Sequence, residues 1–196
     1  VERVADGVWK VPPDLLLKAR THDAQKNIGS VIELRSHLPV DQQVRAIGAT
    51  WLDKQLVGDA RALSGQGFGA EVREAMRDRI DFLASQGLAQ RGARRAVLAQ
   101  NLLASLRDRE LAAAGKELAT ESGQRFRSIE DGGQASGIYR RSIQLVSGRF
   151  ALLDDGVSFS LVPWRPVLEH RLGQNASAIV QGNSVTWRFG RGQSIA

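Results

Sequence analysis

The sequence contains no cysteine. That absence excludes disulfide scaffolds, cysteine-ligated zinc and iron–sulfur centres, and thiol nucleophiles. Histidine is almost as scarce. His22, His37 and His170 are the only three, far apart and without His-x-His or His-Glu-x-x-His spacing. Metal ligation finds no support in that pattern, and no cofactor is implied. Aromatic residues make up 6% of the chain, with a single tyrosine, Tyr139. No apolar stretch reaches the roughly 18 residues a membrane helix needs. The first residue is Val1 rather than methionine, and no signal-peptide pattern follows it. The chain therefore reads as a piece of a longer protein.

What the sequence does hold is enough to build a core. Of 196 residues, 42% are hydrophobic and 24% are charged. That balance argues against intrinsic disorder and for one large domain or two small ones. Lysine and arginine together number 27 against 21 acids, a net charge of +6. A basic balance favours polyanionic partners, nucleic acid above all, although arginine-rich composition alone is weak evidence. Distribution sharpens the signal. Residues 88–109 carry five arginines against one acid, and residues 125–196 carry nine against five, while the first 87 residues are near-neutral.

Periodicity divides the chain near residues 122–130. Before that point it is helical. A helix is expected to start after Pro12-Pro13 and run to about Lys26, followed by a short extended run from Ser30 to Leu34. Another helix starts at Pro39, with Val40, Val44, Ile47 and Trp51 at helical spacing and Gly48 on it. Gly58 to Gly69 reads as a loop. A helix over about 69–86 has Val72, Met76, Ile80 and Leu83 on one face and Arg73, Arg77 and Asp81 on the other. Gly87 stops it. A strand–turn–strand over residues 88–98 and a helix over residues 102–121 follow. From about Arg125 the period becomes 2. Strands are expected over residues 137–146, 149–153, 157–162, 177–180 and 185–189, with turns at Ser147-Gly148, Asp154-Asp155-Gly156 and Gly182-Asn183. A short helix is expected over residues 166–172. The expected fold is α+β: residues 1–124 form a mainly helical domain with a winged-helix-like unit, and residues 125–196 form a small antiparallel β-barrel.

Two basic features bear on function. The hairpin over residues 88–98 carries Arg91, Arg94 and Arg95, as the wing of a winged helix does when it fixes phosphates beside a groove-reading helix. An ordinary solvated hairpin explains the same residues equally well. On the second half, Arg140, Arg141 and Arg149 near Tyr139 fit either a basic face with an aromatic suited to base stacking or, more simply, a barrel exterior with ordinary charges. Strict alternation places Tyr139 and Arg141 on one side and Arg140 on the other. The remaining motifs favour structural roles. Asp154-Asp155-Gly156 is turn chemistry before it is an acid–base pair. Glu169 and His170 are adjacent on a helix and point apart. Gly65, Gly67 and Gly69 lack the Lys-Ser or Lys-Thr of a phosphate loop. Trp164, between Pro163 and Pro166, is a core anchor before it is a docking aromatic.

Several strings also carry a resemblance: Val31-Ile-Glu-Leu-Arg-Ser-His-Leu-Pro, Arg45-Ala-Ile-Gly-Ala-Thr-Trp-Leu-Asp, Asn101-Leu-Leu-Ala-Ser-Leu-Arg, Tyr139-Arg-Arg-Ser, Gly148-Arg-Phe-Ala-Leu-Leu-Asp-Asp-Gly and Phe159-Ser-Leu-Val-Pro-Trp-Arg-Pro-Val-Leu-Glu. In this order they resemble the C-terminal region, catalogued as a domain of unknown function, of relaxases of the mobilization-nuclease type from conjugative plasmids and integrative elements. The resemblance implies a parent that nicks DNA at a transfer origin through a tyrosine and a metal-binding histidine cluster in its N-terminal part, and that a type IV secretion system exports. Neither motif occurs here, so no catalytic role passes to Tyr139. The expectation is a non-enzymatic region of a bacterial cytoplasmic protein. Its role would be auxiliary DNA binding, single- or double-stranded, through Arg91, Arg94, Arg95, Arg140, Arg141 and Arg149. The alternative is a docking module for the secretion coupling protein or other transfer-complex proteins.

Overall fold

The structure is a computed structural model that describes residues 2–5, 8–10, 36–58, 63, 65–92, 96–182 and 184–189. The helix expected after Pro13 and the extended run at Ser30 lie outside these residues. A two-stranded antiparallel ladder of β1 (Glu2–Ala5) and β2 (Val8–Lys10) opens the chain, a pairing the sequence reading did not anticipate. Among the described residues four helices follow: α1 (Val40–Gln43), α2 (Trp51–Val57), α3 (Phe68–Ser85) and α4 (Leu102–Ser122). Between α3 and α4 sits a minimal antiparallel hairpin, β3 (Ala89–Gln90) with β4 (Val97–Leu98). The class is α+β. Among the described residues no helix is long and apolar enough to cross a membrane.

The continuous helix expected from Pro39 is broken between α1 and α2. Thr50 and Asp53 explain the break. Thr50 accepts from the Asp53 N–H at 3.1 Å, and the Asp53 carboxylate accepts from the Thr50 N–H at 2.7 Å. This reciprocal capping box starts a new helix rather than continuing the old one. Ile47, expected on the inner face, is accordingly exposed. In α3, Val72, Met76 and Leu83 are buried as their spacing predicts, and the helix ends in a left-handed Gly87 (φ 70°). There the Leu88 N–H donates to the Leu83 carbonyl at 2.8 Å and the Gly87 N–H to that of Ala84 at 3.0 Å, which satisfies two otherwise orphaned acceptors.

The period reading misses a charged residue in the core. Arg79 is fully buried. Its Nε and Nη2 donate to the two carboxylate oxygens of buried Asp53 at 2.9 and 2.8 Å. Its remaining donors reach the carbonyls of Val44 (3.1 Å), Ala46 (2.6 Å) and Gly48 (3.1 Å). One guanidinium therefore holds the whole α1–α2 loop against α3 with its hydrogen-bonding capacity filled.

The second half is a six-stranded sheet in the order β10-β9-β6-β7-β8-β5. Its strands are β5 (Arg125–Phe126), β6 (Gln134–Leu145), β7 (Gly148–Asp154), β8 (Ser158–Pro163), β9 (Asn175–Gln181) and β10 (Ser184–Phe189). The expected antiparallel barrel is corrected on two counts. The sheet stays open, with β10 and β5 at its edges, and β5 pairs parallel to β8. The helix expected over residues 166–172 is a single 3-10 turn, Pro166–Leu168.

The centre of the sheet is covered on both faces, which is why strict in–out alternation misreads it. Phe150, Leu152, Phe159 and Leu161 pack on one face with Leu111, Ala114 and Leu118 of α4 and Phe126. Ala151, Leu153 and Val162 pack on the other with Tyr139, Leu168, Ala176 and Ala178, and Ser160 is buried too. Val157, the first residue of the strand expected over 157–162, is 76% exposed in the turn before β8. Helix α4 serves both halves: Leu102 and Leu106 pack with Leu83, Leu88 and Ala89, while its later turns lie on the sheet. At the change-over Glu110, nearly buried, accepts from the N–H groups of Val146 (2.7 Å) and Ser147 (2.9 Å) and from the Ser147 hydroxyl. The Ser147 hydroxyl oxygen in turn accepts from the Ala49 N–H at 2.9 Å. Gly48 is glycine because a Cβ there would overlap the Glu110 carboxylate.

Candidate nucleic-acid interface

The described arginines among those expected to contact DNA, Arg91, Arg140, Arg141 and Arg149, occupy three places. Arg91 sits at the start of the β3–β4 connection, exposed, and its Nε donates to Asp81 of α3 at 2.7 Å. The hydrogen bond to Asp81, and then the Asp81 charge, raise its pKa further above the usual arginine value. Arg94 and Arg95 lie outside the described residues. The helix–hairpin–helix outline is present as α3, β3–β4 and α4; the tip of the hairpin is not described.

Arg140 and Arg141 are arranged by an irregularity in β6. Tyr139 pairs with Leu153, but Arg141 pairs with Leu152, so one extra residue is inserted at Arg140. Leu152 and Leu153 are neighbours on β7 and face opposite ways, so Tyr139 and Arg141 do as well. This corrects the alternation that put them together. Arg140 and Arg141 instead share the α4 face. There the Arg140 Nε donates to Asp154 at 2.9 Å. Asp154 also accepts from the Gly156 N–H at 2.8 Å and from Gln124 at 3.2 Å. The Gly156 N–H is the largest of the causes that hold the Asp154 carboxyl below its ordinary pKa. Asp155 accepts from the N–H groups of Val157 and Ser158, and the Ser158 N–H leads in lowering its pKa. These bonds are turn chemistry, as the Asp-Asp-Gly string predicts.

Tyr139 is 4% exposed, so it offers no ring face to a base. Its hydroxyl oxygen accepts from the Trp164 indole N–H at 3.2 Å. The structure brings Arg149 rather than Arg141 to this face. The guanidinium carbon of exposed Arg149 lies over the Trp164 ring, 3.8 Å from its centroid. A second stack, which sequence reading missed, places Arg171 over Phe189 at 4.6 Å. Phe189 lies nearly parallel to Trp187, 6.4 Å between centroids. Trp164, Trp187 and Phe189 all pack against the same core cluster as Tyr139 and Leu168. The signal was present in Pro163-Trp164-Arg165-Pro166, which reads as a core anchor; that Trp164 also seats a guanidinium needs the Arg149–Trp164 proximity set by β7 and β8. Glu169 and His170 are exposed beside this segment, and His37 is exposed in the helical half. Among the described residues no group of three or more histidines and acids could hold a metal ion.

One family matches the whole chain, residues 1–196, under the description "Protein of unknown function (DUF3363)". The chain belongs to this family. No curated protein and no solved structure matches it.

Proposed function

We propose that this member of the DUF3363 family is a non-catalytic nucleic-acid-binding region, the accessory DNA-binding part of a relaxase-like parent acting at or near a transfer origin in a bacterial cytoplasm. The observation that carries the reading is the arginine-rich surface of the second half. Residues 125–196 hold nine arginines against five acids. Arg149 among them is exposed and stacked, and no carboxylate contacts it among the described residues. The wing-like β3–β4 hairpin contributes Arg91, Arg94 and Arg95 to the same function. The Arg91–Asp81 pair is solvent-exposed, and a surface pair of this kind is weak enough for a phosphate to replace the carboxylate. Arg140 and Arg141, placed side by side by the irregularity in β6, add a further positive point. The test is fluorescence anisotropy of labelled single- and double-stranded oligonucleotides across a salt series. Binding whose logarithm falls linearly with the logarithm of salt supports the reading, because counterion release is the signature of phosphate contacts. Flat anisotropy at low salt overturns it.

A second reading, a docking module for the type IV secretion coupling protein or another transfer-complex protein, draws on β10. This strand has one ladder partner among the described residues, β9, and an unpaired edge is a template for an added strand. Loss of parent export on deleting residues 125–196, with DNA affinity retained, would favour it.

A further inference from the structure

We propose that the Arg149–Trp164 and Arg171–Phe189 stacks form a binding site for single-stranded nucleic acid. This inference rests on the DNA-binding reading and assigns its contact surface. The argument begins with what a stacked guanidinium can do. Trp164 and Phe189 seat Arg149 and Arg171 over their rings, at 3.8 and 4.6 Å from the centroids, so less side-chain entropy remains to be lost on binding. Each ring covers one face of its guanidinium and leaves the N–H edge and the opposite face. The edge matches a phosphate bidentately. The opposite face accepts a base, continuing the stack outward from ring to guanidinium to base.

Anchoring is good at both points. Trp164 is pinned by the hydrogen bond from its indole to Tyr139, and its backbone N–H donates to the Arg149 carbonyl at 2.9 Å. Arg171 is oriented by Gln174, which accepts from Nη1 at 3.1 Å; among the described residues no hydrogen bond takes the other donors of the guanidinium. The segment that joins them, Trp164 to Arg171, also carries Arg165, with Glu169 as its one acid. Its Leu168 is buried, so the segment is seated on the core and not a loose loop. A base enters such a stack only when it is free of its own neighbours. Bases in a duplex are already stacked, which is why the site selects single strands.

The experiment uses the whole chain and a fluorescein-labelled oligothymidine, with a duplex of equal length as the comparison. The expected result is tighter binding to the single strand, with quenching of tryptophan fluorescence that Trp164→Phe reduces. Arg149→Ala and Arg171→Ala should each weaken single-strand binding by about tenfold, the scale of a charge-assisted hydrogen bond. Together they should flatten the log–log salt slope by about 1.4, at roughly 0.7 per phosphate contact on a single strand. Arg149→Lys keeps the charge but not the planar stack, so it should restore the slope and not the affinity. Arg149 is exposed and Arg171 half-buried, and unchanged thermal midpoints verify that the variants fold. If the wild type binds DNA and both alanine variants bind as well as it does, the site is wrong while the DNA-binding reading stands. Equal affinity for duplex and single strand also overturns the site. If the wild type binds neither oligonucleotide, both fail.

Discussion

Replacing Asp53 with alanine tests the physical account of the helical half most severely. Asp53 and Arg79 are both completely buried, joined by two hydrogen bonds of 2.9 and 2.8 Å. Asp53 also caps α2 through Thr50, whose N–H and hydroxyl donate to it at 2.7 and 2.8 Å. The substitution leaves a guanidinium in the core with three carbonyls as its hydrogen-bond partners among the described residues and no counter-charge. Removing one member of a buried ion pair typically costs about 3–5 kcal/mol. Loss of the cap adds about 1 kcal/mol. A domain of this size shifts its midpoint by about 2–4 °C per kcal/mol, so the variant should melt roughly 8–24 °C below the wild type. The assay is thermal unfolding by circular dichroism, with urea titration to give the free energy directly. The double variant Asp53→Leu with Arg79→Met removes both charges and should be more stable than Asp53→Ala, because the cost lies in the unpaired charge and not in the missing attraction. A cost below about 1 kcal/mol for Asp53→Ala, or a double variant no better than the single, would refute the reasoning.

Three further outcomes follow from the packing and the turns. Gly48→Ala would push a methyl group into the Glu110 carboxylate that joins α4 to the β6–β7 turn, and Gly115→Ala would push one into the Phe126 ring; each should cost about 1–3 kcal/mol in urea unfolding. Trp187→Phe should be close to neutral in stability for so large a side chain, since the buried indole N–H has no hydrogen-bond partner among the described residues and its loss removes a desolvated donor. The pKa of Asp154 is lowered in the folded chain, so its contribution to stability is present above the unfolded value near ~3.9 and is lost as pH falls through the lower folded value. Asp154→Asn should therefore reduce stability at pH 7 and flatten its fall in the acid limb of an unfolding-versus-pH curve.

Much of the architecture was legible because local chemistry and tertiary packing agree. Gly87 ends its helix in the left-handed region, as expected for glycine after a periodic run, and Gly123 does the same after α4. Asp154-Asp155-Gly156 turns, and the six strands of the main sheet include five placed within a few residues of expectation. Three things were hidden, each for a physical reason. The helix after Pro39 breaks because Thr50 and Asp53 cap each other, a two-residue signal overridden by the apolar spacing around it. Arg79 was invisible because a charged residue inside a helical pattern reads as surface; only its carboxylate and three carbonyl partners, brought from α2 and the loop before it, make its burial affordable. The basic face was misassigned because one extra residue at Arg140 reverses the in–out order of everything after it. A shift of one residue in a strand changes the face of every later side chain, and sequence alone does not register it. The aromatic seats of Arg149 and Arg171 depend on the same sheet geometry.

The measurement that bears most directly on the central claim is the salt dependence of oligonucleotide binding by the intact chain. The account predicts affinity that falls with a log–log slope of about −1.4 or steeper on a single strand, the release expected from at least two phosphate contacts. A salt-independent signal, or none at low salt, would contradict it and leave the arginine-rich surface without a role in nucleic-acid binding.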